Sequence, residues 1–330
     1  MATEQITTGS KGWIGYRPEI KVLDVTVRDG GLMNDHKFDF DFVKTVYQTC
    51  VASGVDYMEF GYKADKKIFN RTQHGTWKFC DEDDVRRAMD DQKAGVKIAV
   101  MADAERTDYR TDILPREKSV FDMIRVATYA HQIPTALAMV KNATDKGYET
   151  CLNLMALSTV PEVELESALE VMANSEAGSL YIVDSFGSMY SEQVRSFVQK
   201  FQKYTKPAGK EIGVHMHNNM QLAFGNTIEG IICGANLLDA SIGGLGRGSG
   251  NCQMELLLSF LHNPKFQLRP VLKCLQETVE PMREKLRWGY AIPYLITGYM
   301  NQHPKEAMEF MESDDYLNFV KFYDAVTEET

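Results

Sequence analysis

Gly213-Val214-His215-Met216-His217-Asn218-Asn219 follows the basic turn Lys206-Pro207-Ala208-Gly209-Lys210 and precedes a helical pattern that starts at Met220. It reads as the end of a strand running into a helix. Side chains alternate along a strand, so His215 and His217 face one way and Met216 the other. Two imidazoles so placed can share a divalent cation if an anionic oxygen joins them. The bland alternative is two ordinary, partly buried histidines. A second strand end, Val25-Thr26-Val27-Arg28-Asp29-Gly30-Gly31, offers the oxygen. The reading then turns on whether one architecture brings both ends together.

Outward from this stretch, short β-branched runs alternate with segments of helical period. The expected strands are 20–26, 57–62, 97–102, 123–127, 150–154, 180–183, 211–215 and 237–242. Helices are expected at 42–53, 81–92, 134–146, 161–174, 191–204, 220–233 and 252–262. Eight strand-helix units predict an α/β fold, a (β/α)8 TIM barrel, rather than an open doubly wound sheet. An open sheet would place a glycine-rich phosphate turn after its first strand, where this chain has Arg28-Asp29-Gly30-Gly31. In barrels the chemistry collects at the C-terminal ends of the strands, so Arg28, Asp29, Glu59, His215 and His217 are expected at one mouth.

Three domains follow: an N-terminal arm (1–18), the barrel (19–263) and a C-terminal helical extension (264–330). The extension begins between Pro264 and Pro270, with helices expected at 271–288, 292–301, 304–312 and 315–327. Two connections on the mouth, 63–80 and 103–119, are long enough to be binding loops or plain solvated loops. The first is basic and aromatic. Asp81-Glu82-Asp83-Asp84 reads as the cap and first turn of a helix. Gly243-Gly244-Leu245-Gly246-Arg247-Gly248-Ser249-Gly250-Asn251 precedes a helix, where backbone N–H groups can meet an anion or glycines can simply form a tight turn.

With 46 acidic against 36 basic residues the net charge is −10, which excludes nucleic acid or an anionic membrane as the main partner. No apolar run reaches membrane-spanning length, and the first residues lack a secretory pattern. The six cysteines form no C-x-x-C pair, so reduced thiols and a cytoplasmic location are expected.

Taken together, Leu23-Asp24-Val25-Thr26-Val27-Arg28-Asp29-Gly30, His215-Met216-His217-Asn218-Asn219 and Asp239 through Asn251 resemble the DRE-TIM metallolyases. That superfamily includes 4-hydroxy-2-oxovalerate aldolase, 3-hydroxy-3-methylglutaryl-CoA lyase and the isopropylmalate and homocitrate synthases. The C-terminal Gly289-Tyr290-Ala291, followed by Tyr294, is most similar to the aldolase branch. The resemblance implies that Asp29, His215, His217 and Asn251 ligate a divalent metal, manganese first, with magnesium, zinc or cobalt as alternatives. It implies that Arg28 stabilises an enolate, that Glu59 supports it, and that Arg28, Asn251 and Ser241 meet the substrate.

This chain departs from the family in two places. Leu32 stands where related aldolases carry a histidine base, which leaves His36, His74 or Tyr290 to move the proton. The cysteine-bearing lid of the CoA lyases is also missing from the loop after strand eight. The implied reaction is metal-dependent aldol cleavage or formation between a 2-oxo acid, as the pyruvate enolate, and an aldehyde. A Claisen-type acyl-CoA condensation and a barrel that has lost catalysis are the other readings. The aromatic helical tail suggests a homo-oligomer, and the resemblance implies that an aldehyde dehydrogenase is a candidate partner.

Overall fold

The computed structural model describes residues 17–90 and 93–327. The expected arm therefore lies mostly outside the described residues. Eight parallel strands close on themselves in sequence order. They are β1 Lys21–Asp24, β2 Tyr57–Tyr62, β3 Lys97–Asp103, β4 Met123–Thr128, β5 Glu149–Leu154, β6 Ser179–Asp184, β7 Glu211–Met216 and β8 Leu237–Ala240. β1 closes the ring by pairing with β8, Leu23 opposite Asp239. Seven of the eight strands are followed by a helix that returns the chain over the outside, among them Phe40–Ser53, Ile133–Asp145 and Ser191–Thr205.

The apolar residues sort into two layers, as a filled barrel requires. Leu23, Tyr57, Ala99, Met123, Cys151, Tyr181 and Leu237 pack inside the ring. Their strand neighbours, such as Val22, Met58, Ile98 and Leu238, pack outward against the helices. Gly213 leaves the space that the Tyr181 ring fills, since a Cβ there would lie 2.4 Å from its Cζ.

Two local departures shape the mouth. β1 ends at Asp24 rather than at 26, because the Asp24 carboxylate accepts from both the amide (3.1 Å) and the hydroxyl (2.6 Å) of Thr26. That hydroxyl accepts in turn from the Ile242 amide at 2.9 Å. The chain winds into one helical turn, Thr26–Gly30, so Arg28 and Asp29 sit on a turn above the strand end. In β2 the register shifts between Glu59 and Tyr62. Strict alternation would have put Gly61 inside; the irregularity turns Tyr62 to the mouth instead.

The segment after Pro264 is built in two parts. Val271, Cys274, Val279 and Trp288 belong to the outer core of the barrel. Tyr294, Ile296, Ala307, Phe322 and Val326 form a small cluster of their own. The single helix expected over 271–288 is broken into Leu268–Cys274, a π turn Leu275–Val279 and a 3-10 turn Glu280–Glu284, where Pro281 has no N–H to continue the ladder.

The basic 63–80 connection is anchored rather than loose. Lys66 and Arg71 both engage Asp81, and Lys63 donates to the Cys80 carbonyl at 2.8 Å. Trp77 is fully buried and donates to the Phe38 carbonyl. Asp81 sits at the helix N-cap without capping it; its carboxylate serves these two cations.

Candidate metal centre

Asp29, His215 and His217 meet at the mouth, with one ligand atom from each within 4.8 Å of the others. All three are buried. Oδ2 of Asp29 lies 3.3 Å from Nε2 of His215 and 3.9 Å from Nε2 of His217. The two rings stand at 81° to each other with centroids 5.0 Å apart. β7 supplies His215 from its interior face, and His217 follows in a bridge with Asn251.

The donor set fits a divalent cation. One carboxylate and two imidazoles converge there, and beside them Oδ1 of Asn251 is buried without a hydrogen bond among the described residues. Gly246 allows this crowding: a Cβ there would fall 2.4 Å from Asn251 Nδ2 and 3.0 Å from Asp29 Oδ1. Nε2 of His215 is likewise buried without a hydrogen bond. Such orphaned acceptors are costly unless something electropositive meets them.

Behind these ligands runs a chain of buried charge. Arg28 donates from Nη1 to Asp29 at 2.5 Å and from Nε to Glu59 at 2.7 Å. Arg125, inside β4, donates to the same Glu59 oxygen at 2.8 Å and to Asp239 at 2.6 Å. Asp239 Oδ2 in turn lies 2.9 Å from His215 Nδ1. The Arg247 amide donates to the other oxygen of Asp29 at 2.8 Å.

These neighbours set the protonation states. Burial alone would raise the Asp29 carboxyl, but Arg28, His217 and His215 hold it well below the usual range. Burial keeps His217 well below the ordinary histidine value despite Asp29, so its ring is neutral and free to ligate. For His215 burial is outweighed by the Asp239 carboxylate at Nδ1 and the Asp29 carboxylate near Nε2, and its value is raised.

A cavity of about 70 Å³ opens beside the three ligands, walled in part by Arg28, Leu32, Tyr62, Asp103, Asn153 and Arg247. That is far below the ~300–1,000 Å³ of sites for drug-sized ligands and suits a molecule of a few carbons. A larger cavity of about 770 Å³ lies at the opposite end of the barrel, lined by strand starts such as Lys21, Tyr57, Lys97 and Glu211. Its charges already satisfy one another, Lys21 with Glu211 and Lys97 with Glu149.

Not every expected residue reaches the cavity. Glu59 lies behind Arg28 and orients it. Ser241, one residue past β8, is buried and off the cavity wall. His36 packs edge-on against Tyr62 at 5.2 Å, shielded by that ring from the cavity. His74 lies against Phe69 in the 63–80 connection. Tyr290 is 57% exposed and does not line the cavity. The C-terminal helices do fold back over the mouth, but through other residues: His303 meets Arg247 at 3.1 Å and the Tyr294 carbonyl accepts from Asn219. Sequence reasoning missed Arg125, Asp239, Asp103 and Arg247. Arg125 left one signal, a charge in the middle of an apolar strand, which must find buried partners.

A barrel whose mouth joins an acid from the first strand-helix unit to two imidazoles from the seventh is the frame of a metal-dependent lyase. The match to the HMGL-like family model covers residues 19–279. The chain belongs to the HMGL-like family and is, like its named relatives, an enzyme of the lyase class. It is 28% identical over 244 residues to an oxaloacetate decarboxylase of Mycobacterium tuberculosis, covering 73% of this chain and 69% of that one. It is 26% identical over 297 residues to a 4-hydroxy-2-oxovalerate aldolase of Bacillus cereus, covering 85% and 81%. Among solved structures, the N-terminal domain of a candidate aldolase from Bacteroides vulgatus superposes with a TM-score of 0.75 at 27% identity, over 91% of this chain and 99% of that one. The HMG-CoA lyase of Brucella melitensis shares the fold, with a TM-score of 0.64 at 16% identity, over 81% and 99%.

Proposed function

We propose that this protein makes or breaks the C3–C4 bond of a 2-oxo acid, one bond removed from the keto group, with pyruvate enolate as the common species and an aldehyde as the other product. The observation that carries this reading is the Arg28 guanidinium, which is bonded to the metal-site carboxylate of Asp29 and also lines the cavity. A divalent cation, manganese first, held by Asp29, His215, His217 and Asn251 would supply Lewis-acid polarisation of the keto oxygen. The chain's own residues do the rest.

Arg28 is held from behind by Glu59, so its charge is fixed before substrate arrives and stabilises negative charge as it develops on the enolate oxygen. The walls of Leu32, Met101, Met155 and Val183 keep water from that charge. Names of relatives support two substrates for one enolate. A 4-hydroxy-2-oxo acid would release an aldehyde, and oxaloacetate would release carbon dioxide. The exposed Tyr290, Tyr299, Leu317, Val320 and Tyr323 give the C-terminal helices an apolar outer surface that supports self-association.

The test is exchange of the pyruvate methyl protons in deuterated water, followed by NMR. Wild type loaded with Mn2+ is expected to exchange them; Asp29→Asn should lose both exchange and Mn2+ binding. Undiminished exchange in metal-stripped enzyme would overturn the reading.

A further inference from the structure

The cavity wall contains few groups able to move a proton. Setting aside the metal ligands and the two guanidinium groups, its ionisable side chains are Tyr62 and Asp103. Burial raises the Tyr62 phenol far above neutrality, which makes it a poor base. Asp103 is the last residue of β3, at the catalytic end of the barrel. It faces inward with Met101, two residues earlier, which shares the same cavity wall.

The Asp103 carboxylate has no hydrogen bond or ion pair among the described residues, while its backbone carbonyl accepts from the Arg106 amide. The cation nearest in influence, Lys78, is held over the rings of Tyr62 and Phe69 at 4.3 and 4.5 Å. A carboxylate set in a small cavity beside a metal site, with nothing bonded to it, is available to a ligand.

We propose that Asp103 is the proton-transfer residue of this site, standing in for the histidine that Leu32 replaces. The inference rests on the aldol reading above. In cleavage, Asp103 takes the proton from the hydroxyl on C4 of a 4-hydroxy-2-oxo acid. The O–H pair becomes the carbonyl of the departing aldehyde, and the C3–C4 pair moves to C2=C3, leaving charge on the C2 oxygen beside Arg28. Asp103 then returns the proton to C3, completing the methyl group of pyruvate, so no external acid, base or oxidant is consumed.

The electrostatic setting agrees. Burial raises the Asp103 carboxyl, and Lys78, Arg106 and Arg28 draw it only part of the way back against the like charge of Glu59. The groups facing it are therefore Tyr62 and Glu59 from β2, Arg28 from the turn after β1, Lys78 from the connection before β3 and Arg106 after it.

Oxaloacetate supplies the control, because loss of carbon dioxide reaches the same enolate with no hydroxyl proton to remove. Asp103→Asn should slow cleavage of 4-hydroxy-2-oxovalerate by roughly 100-fold or more. It should slow oxaloacetate decarboxylation by less than about tenfold, since the enolate can leave the site and take its C3 proton from bulk water. Mn2+ affinity measured by calorimetry should stay within about threefold of wild type, which also reports an intact fold. The acidic limb of the kcat/KM profile for cleavage should vanish in Asp103→Asn and return in Asp103→Glu. Equal loss of both reactions, or no loss of cleavage, would overturn the assignment of Asp103 alone. A wild-type enzyme inert toward both substrates and pyruvate exchange would overturn the proposed function and Asp103 with it.

Discussion

The Asp239 carboxylate stands 2.9 Å from Nδ1 of His215, on the side of the ring away from Asp29. An ionised carboxylate can only accept, so Nδ1 carries the proton and the lone pair of Nε2 is aimed at the cation site. Asp239 is in turn held by Arg125. Tautomer and ring orientation are thus settled in the barrel interior, before any ligand arrives.

Asp239→Asn should therefore weaken metal binding by about 10–100-fold, the usual cost of losing an outer partner of a ligating histidine. Titration of the apo protein with Mn2+ in a calorimeter measures it. Unchanged affinity would mean that the ring is oriented by something other than Asp239.

Arg125 is fully buried and is shared by Glu59, Asp239 and Asn153, with its guanidinium over the Tyr181 ring at 4.5 Å. Arg125→Met should destabilise the fold by about 3–5 kcal/mol, because two buried carboxylates lose a positive partner. Urea unfolding followed by circular dichroism gives the value. A loss below about 1 kcal/mol would place the charge balance elsewhere.

The barrel was legible because its inner and outer layers impose alternation on every strand, and the residues that pack there are β-branched or aromatic. What the sequence concealed came from contacts between distant segments. Val25-Thr26-Val27 looks like strand, yet the bonds among Asp24, Thr26 and Ile242 end β1 early and wind the turn that carries Asp29. Asp29 and the two histidines could be paired from topology alone, since strand ends converge. Arg247 could not, because it comes from a loop whose course is set by tertiary packing, and Asp103 closes β3 one residue past the expected strand end. His36 failed as a wall residue for a similar reason: its left-handed backbone, φ 61°, tucks the ring beneath Gly31 and behind Tyr62.

Burial keeps two histidines of the metal-free protein from taking up protons, which makes stability depend on pH below neutrality. His36 and His217 are both held well below the ordinary histidine value, chiefly by burial. The unfolded chain thus takes up protons from about pH 6.5 downward that the folded chain refuses, and stability falls as pH drops through that window. His215, whose value is raised, acts with the opposite sign: its contribution is present below pH 6.5 and fades as pH rises through its folded value. Asp24 and Asp184, which burial raises to about 7, take up protons in the fold over the same window and oppose the two histidines, so the slope that belongs to His36 is read against a variant rather than from the total. His36→Asn, which tolerates the same backbone, should flatten that slope by up to about 1.4 kcal/mol per pH unit. Urea melts at four pH values test it; an unchanged slope would show that His36 is protonated in the fold.

Gly246→Ala tests the crowding around Asn251. Its new Cβ would collide with the Asn251 amide at 2.4 Å and approach Asp29 at 3.0 Å. The loop should move Asn251 away, lowering Mn2+ affinity by about tenfold or more while leaving most barrel contacts intact. Calorimetric affinity and thermal melting, measured together, separate the two effects. Equal affinity would remove Asn251 from the ligand set.

Arg28→Lys asks whether charge or fork geometry matters beside the enolate oxygen. The guanidinium reaches Asp29 and Glu59 through different nitrogens while still facing the cavity, and one ammonium cannot hold all three directions. Positive charge survives in the variant, so Asp29 should still bind Mn2+ with only a modest change. Turnover depends on a donor fixed where charge develops, and kcat for pyruvate exchange should fall by roughly 100-fold. The informative quantity is the split between KM and kcat. A raised KM with unaltered kcat would mean that Arg28 binds the ground-state carboxylate and leaves the enolate to other groups.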